Sequence, residues 1–232
     1  MFSAARGGFD YYSSAGLSLT FQNSYSVHNA TGVATLTGVN ANIGDIIFLI
    51  VTASNTSFAP APVLATPTGF TNVVNIATSG SAPTAIRTAA YYQISTSSGS
   101  RTITSMAGTN GGVSNHMALV YTPSTTASNV AFTLLTSQVI SGAPSNQTPT
   151  FPTMTNATVF FGYSSSSSFT SSPSLMLSST VTPTRQVILG SGSTYYAVTD
   201  AFEGTGFSGT TTLSHSTGGS VNSLFSGYMV VS

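Results

Sequence analysis

Charge is what this sequence has least of. Only 3% of its 232 residues are charged, against about a quarter in an average soluble domain. Lysine is absent, and every charge can be named: Arg6, Asp10, Asp45, Arg87, Arg101, Arg185, Asp200 and Glu203. The formal net charge is zero, so no electrostatic footprint exists for nucleic acid or for an anionic membrane surface. Cysteine is absent too. That excludes disulfides and thiolate metal sites and leaves the redox compartment unread. No apolar run is long enough to cross a bilayer as a helix. The first residues, MFSAARGGFDYY, lack the apolar core of a secretory signal, so none is expected. With four acids in all, hydrolysis of glycosides by a spaced carboxylate pair is nearly closed as a class.

What the chain does have is apolar bulk: 41% hydrophobic residues, with 14 Phe and 10 Tyr. That is too much for a disordered polymer and enough for a packed core. The surface is then left to Ser, Thr, Asn and Gly. Such a surface gives a free monomer little charge repulsion to keep it soluble. The expectation is that much of it is covered in an assembly, as a homo-oligomer (a trimer first) or on a partner. A hydroxyl-rich monomer is the alternative.

The chain is organised around GDIIFLIVTAS at 44–54. A Gly-Asp turn opens it and six apolar residues follow, 46–51. Strict alternation would mean one wet face, whereas an unbroken β-branched run means a strand covered on both faces. Short apolar or alternating runs at 17–21, 33–37, 73–76, 85–95, 101–106, 116–121 and 130–140 read as further strands, with Gly, Ser, Asn and Pro clusters between them. The rhythm returns at 157–163, 186–189, 194–202, 210–214 and 224–231. No window holds a helical period. The predicted fold is all-β, a jelly-roll-like antiparallel sandwich over 17–232, preceded by a Gly/Ser/aromatic arm at 1–16. The halves, about 33–140 and 150–232, look related. DIIFLIV at 45–51 matches TVFFGYS at 158–164, AAYYQIS at 89–95 matches STYYAVT at 193–199, TITSMAG from 102 matches TTTLSHS at 210–216, and HMALVY at 116–121 matches FSGYMVV at 225–231. Two copies suit one sandwich with interleaved halves or two small ones in tandem.

The order Gly44-Asp45 plus apolar run, Pro67-Thr68-Gly69-Phe70-Thr71, Tyr91-Tyr92, Thr102-Ile103-Thr104, then an apolar strand ending in Tyr121 resembles β-sandwich proteins of tailed-phage virions, found in tail fibres and on capsid surfaces. It covers about a third of the chain well. Phe70 stands where that pattern usually has Trp, and the second half lacks both glycine signatures. The resemblance implies a structural protein on the virion surface with no catalytic residues and no cofactor. Its partners would be itself and virion proteins such as the major capsid protein. It leaves head and tail open.

Chemical motifs are few. Gly204-Thr-Gly206-Phe-Ser-Gly209 fits G-x-G-x-x-G, but a strand pattern follows where the dinucleotide fingerprint needs a helix. The histidines, at 28, 116 and 215, are far apart and no nucleophile elbow occurs. His116 within a strand reads as a packed or hydrogen-bonded residue. Asp200 and Glu203 are the one close acid pair. They could hold Ca²⁺ with backbone carbonyls, or sit in a solvated turn. The pairs Tyr91-Tyr92 and Tyr195-Tyr196 would each put one ring outward, for a sugar or a subunit contact, unless both pack in the sheet. In the arm, Phe9, Tyr11 and Tyr12 are anchors and Arg6 a polar contact for a neighbouring subunit or shell protein; folding back on its own sandwich is the alternative.

Three functions follow. Capsid decoration or cement comes first. A tail-fibre or knob protein recognising a host surface glycan is second, and a bacterial surface or fimbrial subunit third.

Overall fold

The computed structural model describes residues 19–29, 34–54, 63–77, 86–105, 113–139, 150–151, 158–166, 175–177, 185–189, 197–204, 209–210, 213–215 and 221–231. Within them the chain is β-strand with no helix, and every strand pairing is antiparallel. The first seven strands are β1 (Leu19–Asn29), β2 (Ala34–Ala41), β3 (Ile46–Ser54), β4 (Thr71–Ala77), β5 (Ile86–Ile94), β6 (Gly99–Ser105) and β7 (Val113–Pro123). They make a five-stranded sheet in the order β1-β7-β3-β5-β4 and a separate ribbon, β2-β6.

The apolar run at 46–51 is β3, the middle strand of its sheet. All six of its side chains are 0% exposed. The pleat divides them. Ile46, Phe48 and Ile50 enter one core with Met117, Leu119 and Tyr121. Ile47, Leu49 and Val51 enter another with Ala89, Tyr91, Ala118 and Val120. Burial of each large side chain stabilises the fold by roughly 1.5–3 kcal/mol before the entropy of ordering it. A run without alternation is the composition this double burial requires.

The second core is closed by the ribbon, which supplies Leu36, Val39, Ala41 and Ile103. Three polar contacts fix the ribbon to the sheet. The Tyr25 hydroxyl accepts from the Asn40 N–H (3.2 Å), Arg101 donates to the Ser95 hydroxyl (2.7 Å), and Ser105 bonds His116. The first core is closed by the rest of the chain, through Val130, Met229, Val231 and the partly buried Phe132. The layers are therefore ribbon, sheet, sheet.

The remaining strands are β8 (Val130–Val139), β9 (Thr150–Phe151), β10 (Thr158–Ser166), β11 (Leu175–Leu177), β12 (Arg185–Leu189), β13 (Ala197–Gly204), β14 (Gly209–Thr210), β15 (Leu213–His215) and β16 (Val221–Val231). Five of them form a sheet in the order β8-β16-β10-β13-β12, and β9 pairs β14 in a ribbon. Set beside β1-β7-β3-β5-β4 and β2-β6, this is the same plan in the same chain order, with β11-β15 added. The matched segments DIIFLIV and TVFFGYS fall on the two middle strands, β3 and β10. With Ile46 set on Val159, the pairings place Tyr121 on Met229 and Ile94 on Glu203. In that register Tyr91 corresponds to Asp200, so the likeness of Tyr91-Tyr92 to Tyr195-Tyr196 is out of step with the strands. The second unit opens with β8, after Pro123, so the strand at 130–139 belongs with the later residues.

Candidate functional site

Two turns at one end of the first sheet carry the glycines that the sequence pattern singled out. In the first, the Asp45 N–H donates to the Asn42 carbonyl (3.1 Å), and Gly44 sits at the third position with φ +86°. L-residues with a side chain rarely adopt that value, and glycine does so freely. Asp45 then locks the turn. One carboxylate oxygen accepts from the Asn42 N–H (2.6 Å) and the other from the Thr122 hydroxyl (2.6 Å), at the end of β7. Its backbone carbonyl accepts from the Ser95 N–H (2.7 Å), at the end of β5. Asp45 is 2% exposed and has no arginine partner among the described residues. Its charge is held by neutral donors, each worth about 1.5–3 kcal/mol.

The second turn is Pro67-Thr68-Gly69-Phe70. The Phe70 N–H donates to the Pro67 carbonyl (3.0 Å), and Gly69 has φ +80°. A methyl on Gly69 would lie 2.5 Å from Gln93 Nε2, so Gln93 lies packed across the glycine. This turn, Gln93 and the outer end of β6 enclose an open groove of about 320 Å³. Two separate pieces of the sequence pattern, Pro67 to Phe70 and Thr102-Ile103-Thr104, thus meet in one place. Arg101 stands at the groove's margin. Its Nη2 donates to Ser95 Oγ (2.7 Å) and to the Ser97 carbonyl (2.6 Å), and its buried Nε has no partner among the described residues.

A buried polar group lies under the ribbon. His116 Nδ1 and Ser105 Oγ are bonded at 2.5 Å; both residues are fully buried. His116 Nε2, the Tyr91 hydroxyl and Arg87 Nε find no partner among the described residues, while Arg87 Nη1 donates to Asn75 Oδ1 (2.8 Å). Burial pushes the His116 pKa down to about 4, because a cation there would lose its hydration. Burial likewise pushes Tyr91 up to about 12, against the opposing pull of the Arg87 charge. Among the described residues the Ser105–His116 pair is a buried contact between the ribbon and the sheet.

The other singled-out residues fall as follows. Tyr91 is not an outward ring: it is 0% exposed, because the ribbon covers the face that a two-layer sandwich would leave wet. Tyr92 is partly buried against the inter-sheet core. Asp200 and Glu203 lie within β13, opposite Gly162 and Val159, rather than in a turn. Among the described residues no group of three or more His, Cys, Asp or Glu could hold a metal. The segment Gly204 to Gly209 joins β13 to β14, so a strand follows it. Arg6, Phe9, Tyr11, Tyr12, Tyr195 and Tyr196 lie outside the described residues. Sequence pattern alone does not reveal the groove, because its walls come from residues some thirty positions apart. The one signal available is that both wall segments carry threonines with no place in a core.

No protein-family profile matches this chain, and comparison with curated proteins and with solved structures finds no match either.

Proposed function

We propose that this chain is a non-enzymatic structural protein of a tailed-phage virion surface, a jelly-roll-like capsid decoration held by contacts with its own copies and with the shell. The supporting observation is the state of its sheet margins. Among the described residues β1 and β4 are outermost in the first sheet, and β8 and β12 in the second. β12 begins with Arg185, which lies opposite Glu203 of β13, but β1, β4 and β8 contain no charged residue. Monomeric proteins guard such margins with charge, proline or bulges, because an open edge is a template for another strand. Of these devices β1, β4 and β8 have only a single register shift apiece and no charge. Leu134, beside the shift in β8, is 39% exposed. Uncharged margins together with an uncharged surface suit a molecule whose edges are covered by neighbours. The virion setting rests on the pattern resemblance. The arm, through Phe9, Tyr11, Tyr12 and Arg6, is proposed to dock on such a neighbour.

The test is electron microscopy of particles from a host expressing the tagged chain. Decoration predicts label on the head in hundreds of copies, lost when residues 1–12 are deleted from a protein that still folds. Label confined to the tail, or absent from particles, would contradict it.

A further inference from the structure

The groove beside β6 runs along the margin of a strand. Four successive residues of β6, Arg101 to Thr104, border it, with Pro67, Thr68 and Phe70 opposite and Gln93 between. Side chains alternate along a strand. Ile103 turns in to the inner core and Arg101 to Ser95 and Ser97, while Thr102 and Thr104 are exposed on the other face. Residues of both faces border the groove, so what they have in common there is backbone. On one side β6 pairs β2. On the other, among the described residues, it has no strand partner, and Arg101 to Thr104 make no backbone bond outside that ladder. A half-open ladder beside a groove is a place for one more strand. Its N–H and C=O groups supply the main-chain bonds, and alternate side chains of the added strand fall into the groove. The facing turn does not take those bonds itself: its Phe70 N–H is bonded within the turn to the Pro67 carbonyl, and proline has no N–H. What the turn offers is apolar surface, Pro67 and the partly buried Phe70.

The chain itself carries a matching strand. Residues 1–18 precede β1, and within them Phe9-Asp10-Tyr11 alternates aromatic, acidic, aromatic. Extended, that stretch puts both rings on one face and the carboxylate on the other. Laid in the groove with the rings inward, it sets them against Pro67 and Phe70 and leaves Asp10 in water. From Phe9 to Leu19 an extended chain spans up to about 33 Å, enough to cross to a neighbouring molecule. A chain's own arm is badly placed for its own groove. β2 lies on the β1 side of the ribbon, where the Tyr25 hydroxyl accepts from the Asn40 N–H. Across that face the order is therefore β1, β2, β6, groove, and an arm leaving β1 would have to pass over both strands of its own ribbon. We propose that the groove is the docking slot for the arm of a second copy of this chain, with residues 9–11 added to the outer margin of β6 as a third strand of the ribbon. The inference rests on the reading that the arm docks on a neighbour, and it names the place.

The experiment is photo-crosslinking of the full-length chain with Phe9→p-benzoylphenylalanine. Unlabelled and ¹⁵N-labelled copies are mixed, irradiated and digested, and mass spectrometry locates the joined peptides. Position 9 should join to the segments 67–70 and 101–104, and the joined peptides should pair a light copy with a heavy one. A synthetic peptide of residues 1–16 should compete for the slot and suppress that product. Alternate amides of a strand face its partner. Of two further peptides, one N-methylated at Asp10 and one at Phe9 and Tyr11, one should therefore lose at least about tenfold in competition while the other keeps it. The inference is overturned by products confined to single copies, by products between copies at any other surface, or by both methylated peptides competing as well as the parent. Products between copies at another surface would leave the arm docked on a neighbour and remove only this slot. A chain that gives no product between copies and sediments as a monomer would remove both.

Discussion

The rings of Phe48 and Phe132 are stacked, with centroids 5.6 Å apart and planes 25° to one another. Phe48 is on the middle strand of the first unit and Phe132 on the outermost strand of the second. The contact joins the two repeats of one plan into a single core. Phe48→Ala should cost about 3–5 kcal/mol, and Phe132→Ala, which is only partly buried, about 2–3 kcal/mol. A double-mutant cycle by urea unfolding should return a coupling of about 1 kcal/mol, and both units should unfold in one transition. Two separate transitions would show that the units do not share a core.

Gly69 is constrained twice, by its φ of +80° and by Gln93 Nε2, 2.5 Å from where a Cβ would stand. Gly69→Ala should destabilise by about 1–2 kcal/mol, mostly from the positive φ, because the Gln93 amide is the end of a flexible side chain and can move aside at little cost. Adding Gln93→Ala should therefore leave about 1 kcal/mol or more of that loss, from the backbone alone. Full rescue by the second substitution would mean that the positive φ carries no cost.

Asp45 is held by a backbone N–H and a threonine hydroxyl, not by a cation. Asp45→Ala strands the Asn42 N–H and should cost about 2–4 kcal/mol; Thr122→Val should cost about 1 kcal/mol. Because no ion pair is involved, chemical denaturation in low salt and in about 1 M NaCl should give the same difference. A strong salt effect would point to a charged partner.

The buried His116 makes stability depend on pH. Its pKa is about 4 in the fold and about 6.5 in the unfolded chain, so the folded state binds fewer protons. The contribution is complete above pH 6.5 and is lost as pH falls through that value towards 4, by about 3 kcal/mol at most. Tyr91 has the opposite sign of shift: raised to about 12, it contributes below pH 10 and is lost as pH rises through 12. Thermal melting should show a plateau between these limits. His116→Asn should flatten the acid side, and an unchanged acid limb in that variant would contradict the assignment.

Much of the fold was legible in the residues themselves. The run 46–51 has no polar position to place at a wet face, and that alone puts it in the middle of a sheet with layers on both sides. The ribbon that forms one of those layers was not legible. A strand pattern such as Thr102-Ile103-Thr104 tells which residue points inward, but not which sheet lies beneath it. That is why the doublet Tyr91-Tyr92 reads as one ring inward and one outward without saying which, while Tyr91 is found fully buried and Tyr92 partly buried. The same gap hid the groove. Pro67 to Phe70 announces a turn through its glycine, and the exposed threonines of β6 announce a wet face, but pairing depends on how the ribbon crosses the sheet. The repeat was legible where both copies are strongly apolar, at β3 and β10. It slipped at the tyrosine doublets, where a shared residue type does not follow the pairing register.

The measurement that bears most directly on the proposed role is sedimentation velocity of the full-length chain and of a variant with charged margins. Gln22→Lys and Ser26→Lys on β1, with Thr133→Lys on β8, place lysines at exposed positions of uncharged outer strands. Wild-type protein should sediment as an oligomer, a trimer first, through an interface burying more than roughly 1,000 Å², and the triple variant should sediment as a folded monomer. A wild-type chain that stays monomeric at every concentration and binds no particle, or a lysine variant that assembles unchanged, would contradict a role built on covered edges.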